Sequence, residues 1–246
     1  MNTFVINLQE NVVRRMAIKS QLDETNLNYE FIEAIKGSNL SDEEIKTLVY
    51  DYPHCKLTKG EIGCALSHLS IYKRIVQENI SHALIFEDDA VIPKNIAKIF
   101  QEIRQLDNDK KANVYLLSRV HNFIENSKLN NNLYSAYQAI GAHAYIINKK
   151  AAKRMILAQK PIIYEADMWW YFKFFNYINV YCYIPHIVNS SDENKDDSSL
   201  ELERAELVND RAKYRSLVRK KIKYYQYYRV KDLILRKYFL KIKTYK

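Results

Sequence analysis

Glu87, Asp88 and Asp89 stand in a row immediately after the apolar run Ala83-Leu84-Ile85-Phe86. Four apolar residues without interruption read as a strand buried on both faces, so the three acids mark its carboxyl end. In an open α/β sheet that edge is where ligands bind, because the connecting loops converge there on a crevice. Adjacent carboxylates call for a compensating cation. A divalent ion such as Mn²⁺ or Mg²⁺ takes carboxylate oxygens together with those of a diphosphate, and acts as a Lewis acid toward a departing nucleotide. Such chemistry suits glycosyl transfer. The triplet is equally compatible with acids that cap the following turn or are simply solvated.

Other residues could complete such a site. Glu165 and Asp167 precede Met168-Trp169-Trp170-Tyr171-Phe172, an aromatic cluster able to stack on a sugar ring. An acid at that place could take the proton of an attacking hydroxyl; Asp167 could as well cap a helix, with both tryptophans in the core. Gly63 and Ser67 lie four apart on one helical face, where small side chains let a ligand approach closely or merely permit helix-on-sheet packing. His68 follows on that helix and could equally be a satisfied core histidine. His54, Cys55, Cys64 and His68 contain a Cys2His2 set, with adjacent ligands at 54 and 55 that are unusual for a zinc finger.

The elements that must position these residues alternate between strand and helix. Thr3 to Leu8 reads as a first strand, and Asn11 can cap a helix in which Val12, Val13, Met16, Ile18 and Leu22 supply the apolar side. Tyr29 to Ala34 is a second strand, and Ser41 to Glu44 opens a helix with a capping-box pattern. Thr58 and Glu61 form a second box, and Ile62, Leu66, Leu69 and Ile75 or Val76 carry that helix to about Glu78. After the acidic triplet, Asn113–Leu117, Ala142–Ile147 and Val180–Ile184 read as strands, Asn122–Asn132 as a polar loop and Lys149–Gln159 as a helix. The prediction is an α/β fold with a central mixed, mostly parallel sheet flanked by helices.

With 246 residues the chain can bury one substantial core. Apolar residues at 48% exclude a disordered chain, and three cysteines are too few for a disulfide framework, which favours a reducing compartment. The net charge of +9 would suggest a nucleic-acid partner if it were spread evenly. It is not: residues 211–246 hold 14 Lys or Arg against one acid, Asp232, so the preceding residues are mildly acidic. The expected organisation is a main domain over 1–190, a polar linker and short helix over 191–210, and a basic amphipathic helical tail over 211–246. Such a tail suits an anionic membrane surface; docking on the domain and RNA binding are the alternatives, nucleic acid being the less favoured. No apolar stretch of about 20 residues suggests a spanning helix.

The block Gly60-Glu61-Ile62-Gly63-Cys64-Ala65-Leu66-Ser67-His68, followed one helix and one strand later by Phe86-Glu87-Asp88-Asp89, resembles glycosyltransferase family 25. Phe4-Val5-Ile6-Asn7-Leu8 with Arg14-Arg15, Phe31 to Gly37, and Gly141-Ala142-His143-Ala144-Tyr145-Ile146-Ile147 extend the likeness, which covers about residues 3–190. The resemblance implies a GT-A-like nucleotide-sugar fold and a UDP-hexose donor, galactose or glucose. It also implies inversion at the anomeric carbon and an acceptor of the lipooligosaccharide kind; with the cysteine count and the basic tail, the expected place is cytoplasmic, at the inner face of a bacterial inner membrane. By the same resemblance Asp89 binds Mn²⁺ or Mg²⁺, Asp88 binds ribose or the metal, and Glu87 completes the motif. Asn7 and Arg14 or Arg15 could contact uracil or diphosphate, or equally serve as an N-cap and a solvated helix face, while the resemblance moves Gly63, Ser67 and His68 toward the donor. Asp167 takes the acceptor proton. The triplet departs from a spaced Asp-X-Asp. The rival readings are a basic nucleic-acid-binding protein, a zinc-binding module, and a family member that binds nucleotide without transferring.

Overall fold

The computed structural model describes residues 2–130, 132–191 and 201–245. In chain order the elements are β1 (Asn2–Asn7), α1 (Val12–Asp23), β2 (Tyr29–Glu33), α2 (Asp42–Leu48), α3 (Lys59–Gln77), β3 (His82–Glu87), β4 (Ala90–Val91), α4 (Ile96–Leu106), β5 (Asn113–Leu116) and β6 (Asn122–Ile124). They continue with β7 (Leu133–Tyr137), β8 (Ala144–Asn148), α5 (Lys149–Ala158), α6 (Trp169–Phe174), β9 (Asn179–Tyr183), β10 (Asn189–Ser190), α7 (Glu201–Lys221), α8 (Tyr225–Tyr238) and β11 (Ile242–Thr244).

Among the described residues, nine strands form one sheet in the order β11-β6-β7-β9-β5-β8-β3-β1-β2. Strands β1, β2, β3, β5, β6 and β9 run one way and β8, β7 and β11 the other, so the sheet is mixed and mostly parallel in direction. Side chains alternate across a strand, and here they alternate between two cores. Phe4, Ala83, Ile85, Tyr145 and Ile147 face a core shared with α2, α3, α5 and α6. Val5, Leu84, Phe86, Ala144 and Ile146 face the other, closed by α1 and α4. This explains why the central strands read as continuous apolar runs.

Both capping boxes form. Ser41 and Glu44 exchange hydrogen bonds at the start of α2, and Thr58 and Glu61 do so at the start of α3. The α1 face differs from expectation: only Ile18 and Leu22 are buried, while Val12, Val13 and Met16 are more than half exposed. At about 100° per residue, 18 and 22 lie nearly opposite 12, 13 and 16, so five apolar residues do not make one stripe. The expected loop 122–132 begins with β6, which pairs with both β7 and β11.

Near the starts of β3 and β5, Asp107 is a structural hub. Its carboxylate accepts from Asn113 Nδ2 (2.7 Å), Tyr115 OH (2.6 Å) and Asn148 Nδ2 (2.9 Å), and lies 2.8 Å from His82 Nε2. Burial would raise this carboxyl, but the hydrogen bonds, led by His82, hold it down at about 2.

Of the segment expected as a linker and short helix, residues 192–200 lie outside the described residues. Helix α7 runs through position 211, the expected start of the helical tail, and Ile242–Thr244 forms a strand, β11, paired with β6. Arg211 is buried on the domain, its guanidinium 2.6 Å from Glu61 and 3.1 Å from Glu165, and Arg215 also contacts Glu165.

Candidate active site

Parallel pairing of β1 with β3 sets Ile6 beside Glu87, so both strands end level and Asn7 comes next to the acidic triplet. On the other side of β3, antiparallel β8 pairs Ala144 with Phe86, and the Glu87 amide donates to the His143 carbonyl at 2.9 Å. His143 is thereby fixed beside the acids although it lies more than fifty residues away. Glu87 keeps the parity of Ala83 and Ile85 and faces α3, where His68 Nε2 is 3.2 Å from its Oε1 and Cys64 Sγ is 3.9 Å away. His68 Nδ1 is 2.7 Å from Tyr145 OH, which is 2.8 Å from Tyr72 OH. This buried chain fixes the His68 ring.

The two aspartates have different partners. Asp88 accepts from Asn7 Nδ2 at 2.7 Å and pairs with Arg14 Nη1 at 3.4 Å. Arg15 reaches Asn7 Oδ1 at 3.5 Å and stacks on Phe31, its guanidinium carbon 3.9 Å from the ring centre. Asp89 lies 3.0 Å from His143 Nδ1 and accepts from Ser190 Oγ at 2.8 Å, while its carbonyl accepts from the Ser191 amide. His143 Nδ1 is also 3.4 Å from Glu87 Oε2.

The electrostatics follow from this crowding of acids. Burial alone would raise the Glu87 carboxyl, but hydrogen bonds from His143 and His68 hold it well below the usual carboxylate range. Burial opposes charge on His143 too, yet Asp89 and Glu87 outweigh it and push its pKa up to about 11. Burial raises the Asp88 carboxyl, with Asn7 and Arg14 offsetting only part. An imidazolium therefore supplies the positive charge that Glu87 and Asp89 require.

The donor set fits a divalent cation. One ligand atom each from Glu87, Asp89 and His143 lie within 4.8 Å of one another. With the His143 proton displaced, carboxylate oxygens and one imidazole would suit Mn²⁺, and Mg²⁺ with its stronger preference for oxygen could use the two carboxylates beside the imidazolium. Asp88 is not in that group. Cys64, His68 and Glu87 make a second set, and His54 and Cys55 join neither, so the sequence's Cys2His2 combination does not assemble among the described residues.

Gly63 and Ser67 face the chain just after β2. A Cβ on Gly63 would come within 2.3 Å of the Ile35 carbonyl oxygen, and Ser67 Oγ accepts from the Ile35 amide while donating to the Gly63 carbonyl. Their small size lets α3 close onto that segment beneath His68. Asp167 Oδ2 accepts from the Gly141 amide at 3.1 Å, and Trp169 Nε1 donates to the Gly141 carbonyl at 2.7 Å. Asp167 thus grips the segment leading to His143, two residues from the metal-competent group. Trp169 is buried, in contact with Tyr145 at 4.9 Å between ring centres.

Reasoning from residue type alone overlooked His143 and Ser190 as members of the cluster. The signal for His143 was its place just before an apolar strand, Ala144–Ile147, but only sheet order brings that strand beside β3.

The chain was compared with known proteins. It is 27% identical over 162 residues to the lipooligosaccharide biosynthesis protein lic2B of Haemophilus influenzae, covering 62% of this chain and 61% of that protein. Over 110 residues it is 32% identical to a probable inactive glycosyltransferase 25 family member 3 of Rattus norvegicus, covering 42% of this chain and 19% of that one. The chain therefore spans less than two thirds of the length of these relatives. Among solved structures it is similar to a glycosyltransferase involved in glycosylation of the major capsid of PBCV-1, with a TM-score of 0.32, 12% identity and 63% of each chain covered. The family model for glycosyltransferase family 25 (LPS biosynthesis protein) matches residues 1–170, a span that contains Asn7, the acidic triplet, His143 and Asp167, and the chain belongs to that family.

Proposed function

We propose that this chain transfers a hexose, galactose or glucose, from a UDP-sugar to a sugar of a lipid-linked oligosaccharide, with inversion at the anomeric carbon. The observation that carries the reading is the division of labour within the triplet: Glu87 and Asp89 converge with His143, whereas Asp88 is held apart by Asn7 and Arg14. Asp89 and Glu87 would hold Mn²⁺ or Mg²⁺, which when bound neutralises diphosphate and stabilises the departing nucleotide as a Lewis acid. Asp88, oriented by Asn7, receives the ribose hydroxyls, and Arg14 and Arg15 supply positive charge for the diphosphate. His68 fixes Glu87 through its link to Tyr145, and Gly63 and Ser67 keep α3 close enough for that contact. Asp167 takes the acceptor hydroxyl's proton as it attacks from the face opposite the leaving group. In this reading the enzyme works at the inner face of a bacterial inner membrane, where its acceptor is anchored.

The test is thermal unfolding of the chain with UDP-glucose, UDP-galactose and their N-acetyl forms, with and without Mn²⁺. Ligand that binds only the native state stabilises it by about 2.7 kcal/mol at a hundred times its dissociation constant. One UDP-hexose should raise the midpoint, and more so with Mn²⁺. Indifference to every UDP-sugar, or a tightly held stoichiometric zinc ion, would overturn the reading. Stabilisation without turnover in a lipooligosaccharide extract would leave nucleotide binding alone.

A further inference from the structure

Helix α8 is apolar on two sides, and only one of them is used. Its inward face repeats at helical spacing through Tyr225, Tyr228 and Leu235, with Tyr228 packed against Phe174 and Phe175 of the α6 end (ring centres 6.2 and 5.7 Å). The outward face repeats at the same spacing through Tyr227, Val230, Ile234 and Tyr238, and these four are 48–67% exposed. Beyond the helix, Asn126 exchanges hydrogen bonds with Phe239 and Lys241, and β11 pairs with β6, so both the inner face and the exit of α8 are fastened to the domain.

The surroundings of the outward face define what could cover it. Exposed Lys231 and Lys237 flank the apolar residues on either side of the helix, and the one acid of residues 211–246, Asp232, is paired with Arg236 at 2.9 Å. Lys223 and Lys237 lie 4.9 and 5.1 Å from the ring centres of the exposed Tyr224 and Tyr238. Aliphatic residues in the middle, with tyrosines and lysines around them, match the layering of a bilayer interface, where apolar groups enter the acyl boundary and lysines reach back to phosphate. A second copy of the chain would bring the same positive charge against itself. RNA would use the cations and rings but would gain little from Val230 and Ile234. No helix among the described residues is long and apolar enough to cross a membrane.

We propose that the outward face of α8 docks the protein flat on an anionic phospholipid surface, with Val230 and Ile234 inserted and the flanking lysines on the headgroups. The inference does not depend on the transferase reading, because docking is measured without turnover. The experiment is co-sedimentation of the full chain with vesicles of phosphatidylglycerol and phosphatidylcholine, and with phosphatidylcholine alone. Binding to the anionic vesicles should be about tenfold tighter or more and should weaken in high salt. Ile234→Glu and Val230→Glu should each reduce it by about tenfold or more, with circular dichroism and melting little changed because both residues are about half exposed and point away from the domain. Equal binding to neutral vesicles, or full binding by both variants, would overturn the proposal. So would a lipid-independent dimer in sedimentation that Ile234→Glu dissociates, or salt-sensitive RNA binding without vesicle binding.

Discussion

The two ends of β3 both lie against buried acid, and the acids are satisfied by different means. At the start of the strand one carboxylate, Asp107, faces two asparagine amides, a tyrosine hydroxyl and a histidine. Its charge is dispersed over several donors, its side chain is sealed from water, and the arrangement is complete without any ligand. At the end of the strand three acids are consecutive, and the cations that answer them are His143, about a third exposed, and Arg14. One end is closed and holds elements together; the other gathers three carboxylates around His143 and Arg14, with their donors shared among neighbouring elements. Proteins keep such a cluster where something from outside is to share it.

Breaking this comparison from the active-site side should give the largest effect. Asp89→Ala removes a carboxylate of the metal-competent group, so metal-dependent UDP-sugar turnover should fall by about a thousandfold or more, while the loss of its contacts with Ser190 and His143 should lower the melting temperature by only a few degrees. Full turnover by that variant would show that the clustered charge is incidental. Asp167→Asn keeps an acceptor for the Gly141 amide but cannot take a proton. Transfer should fall by about a hundredfold or more with UDP binding retained, as read by titration calorimetry alongside initial rates. Normal transfer would assign the base elsewhere.

At the other end the effect belongs on stability instead. Asp107→Ala leaves Asn113, Asn148, Tyr115 and His82 facing an empty acceptor position, and should cost about 3 kcal/mol in urea unfolding without altering UDP-sugar affinity. The pH dependence sharpens the contrast. Because the folded Asp107 carboxyl titrates at about 2 rather than at its ordinary 3.8, its contribution is fully present above the ordinary value. It is lost as pH falls through about 2, a change of about 2 kcal/mol. Urea midpoints that drop less in Asp107→Ala than in the parent over that window would confirm the assignment, whereas parallel curves would refute it.

What the sequence made legible was local. The capping boxes of Ser41 and Thr58, and the apolar run 83–86 ending in acids, are each contained within a few neighbouring residues, and all stand as expected. Helix α4 was equally legible, with Ile96, Ile99, Phe100 and Ile103 buried at helical spacing, but those residues were not singled out. Other features depended on distant pairing. Short β6 is a strand because β7 and β11 flank it, and Asn122-Phe123-Ile124 does not announce that by itself. Likewise His143 enters the acidic cluster through the β3–β8 ladder, and Ser190 through its bond to Asp89. Gly63 and Ser67 were noticed for their size, and their closest contacts are with the Ile35–Gly37 chain.

Arg211 joins parts of the chain whose histories need not be the same. It lies beyond residue 170, where the family match stops, yet it shares its guanidinium between the first turn of α3 and the segment just before Asp167. A protein cut back to the matched span would keep every residue assigned a role at the donor and would strip Glu61 and Glu165 of their counterions in a water-poor setting. The segment that carries the proposed docking face thus also contains, one helix earlier, a clasp on the body of the fold, and a truncation meant to remove the one would remove the other.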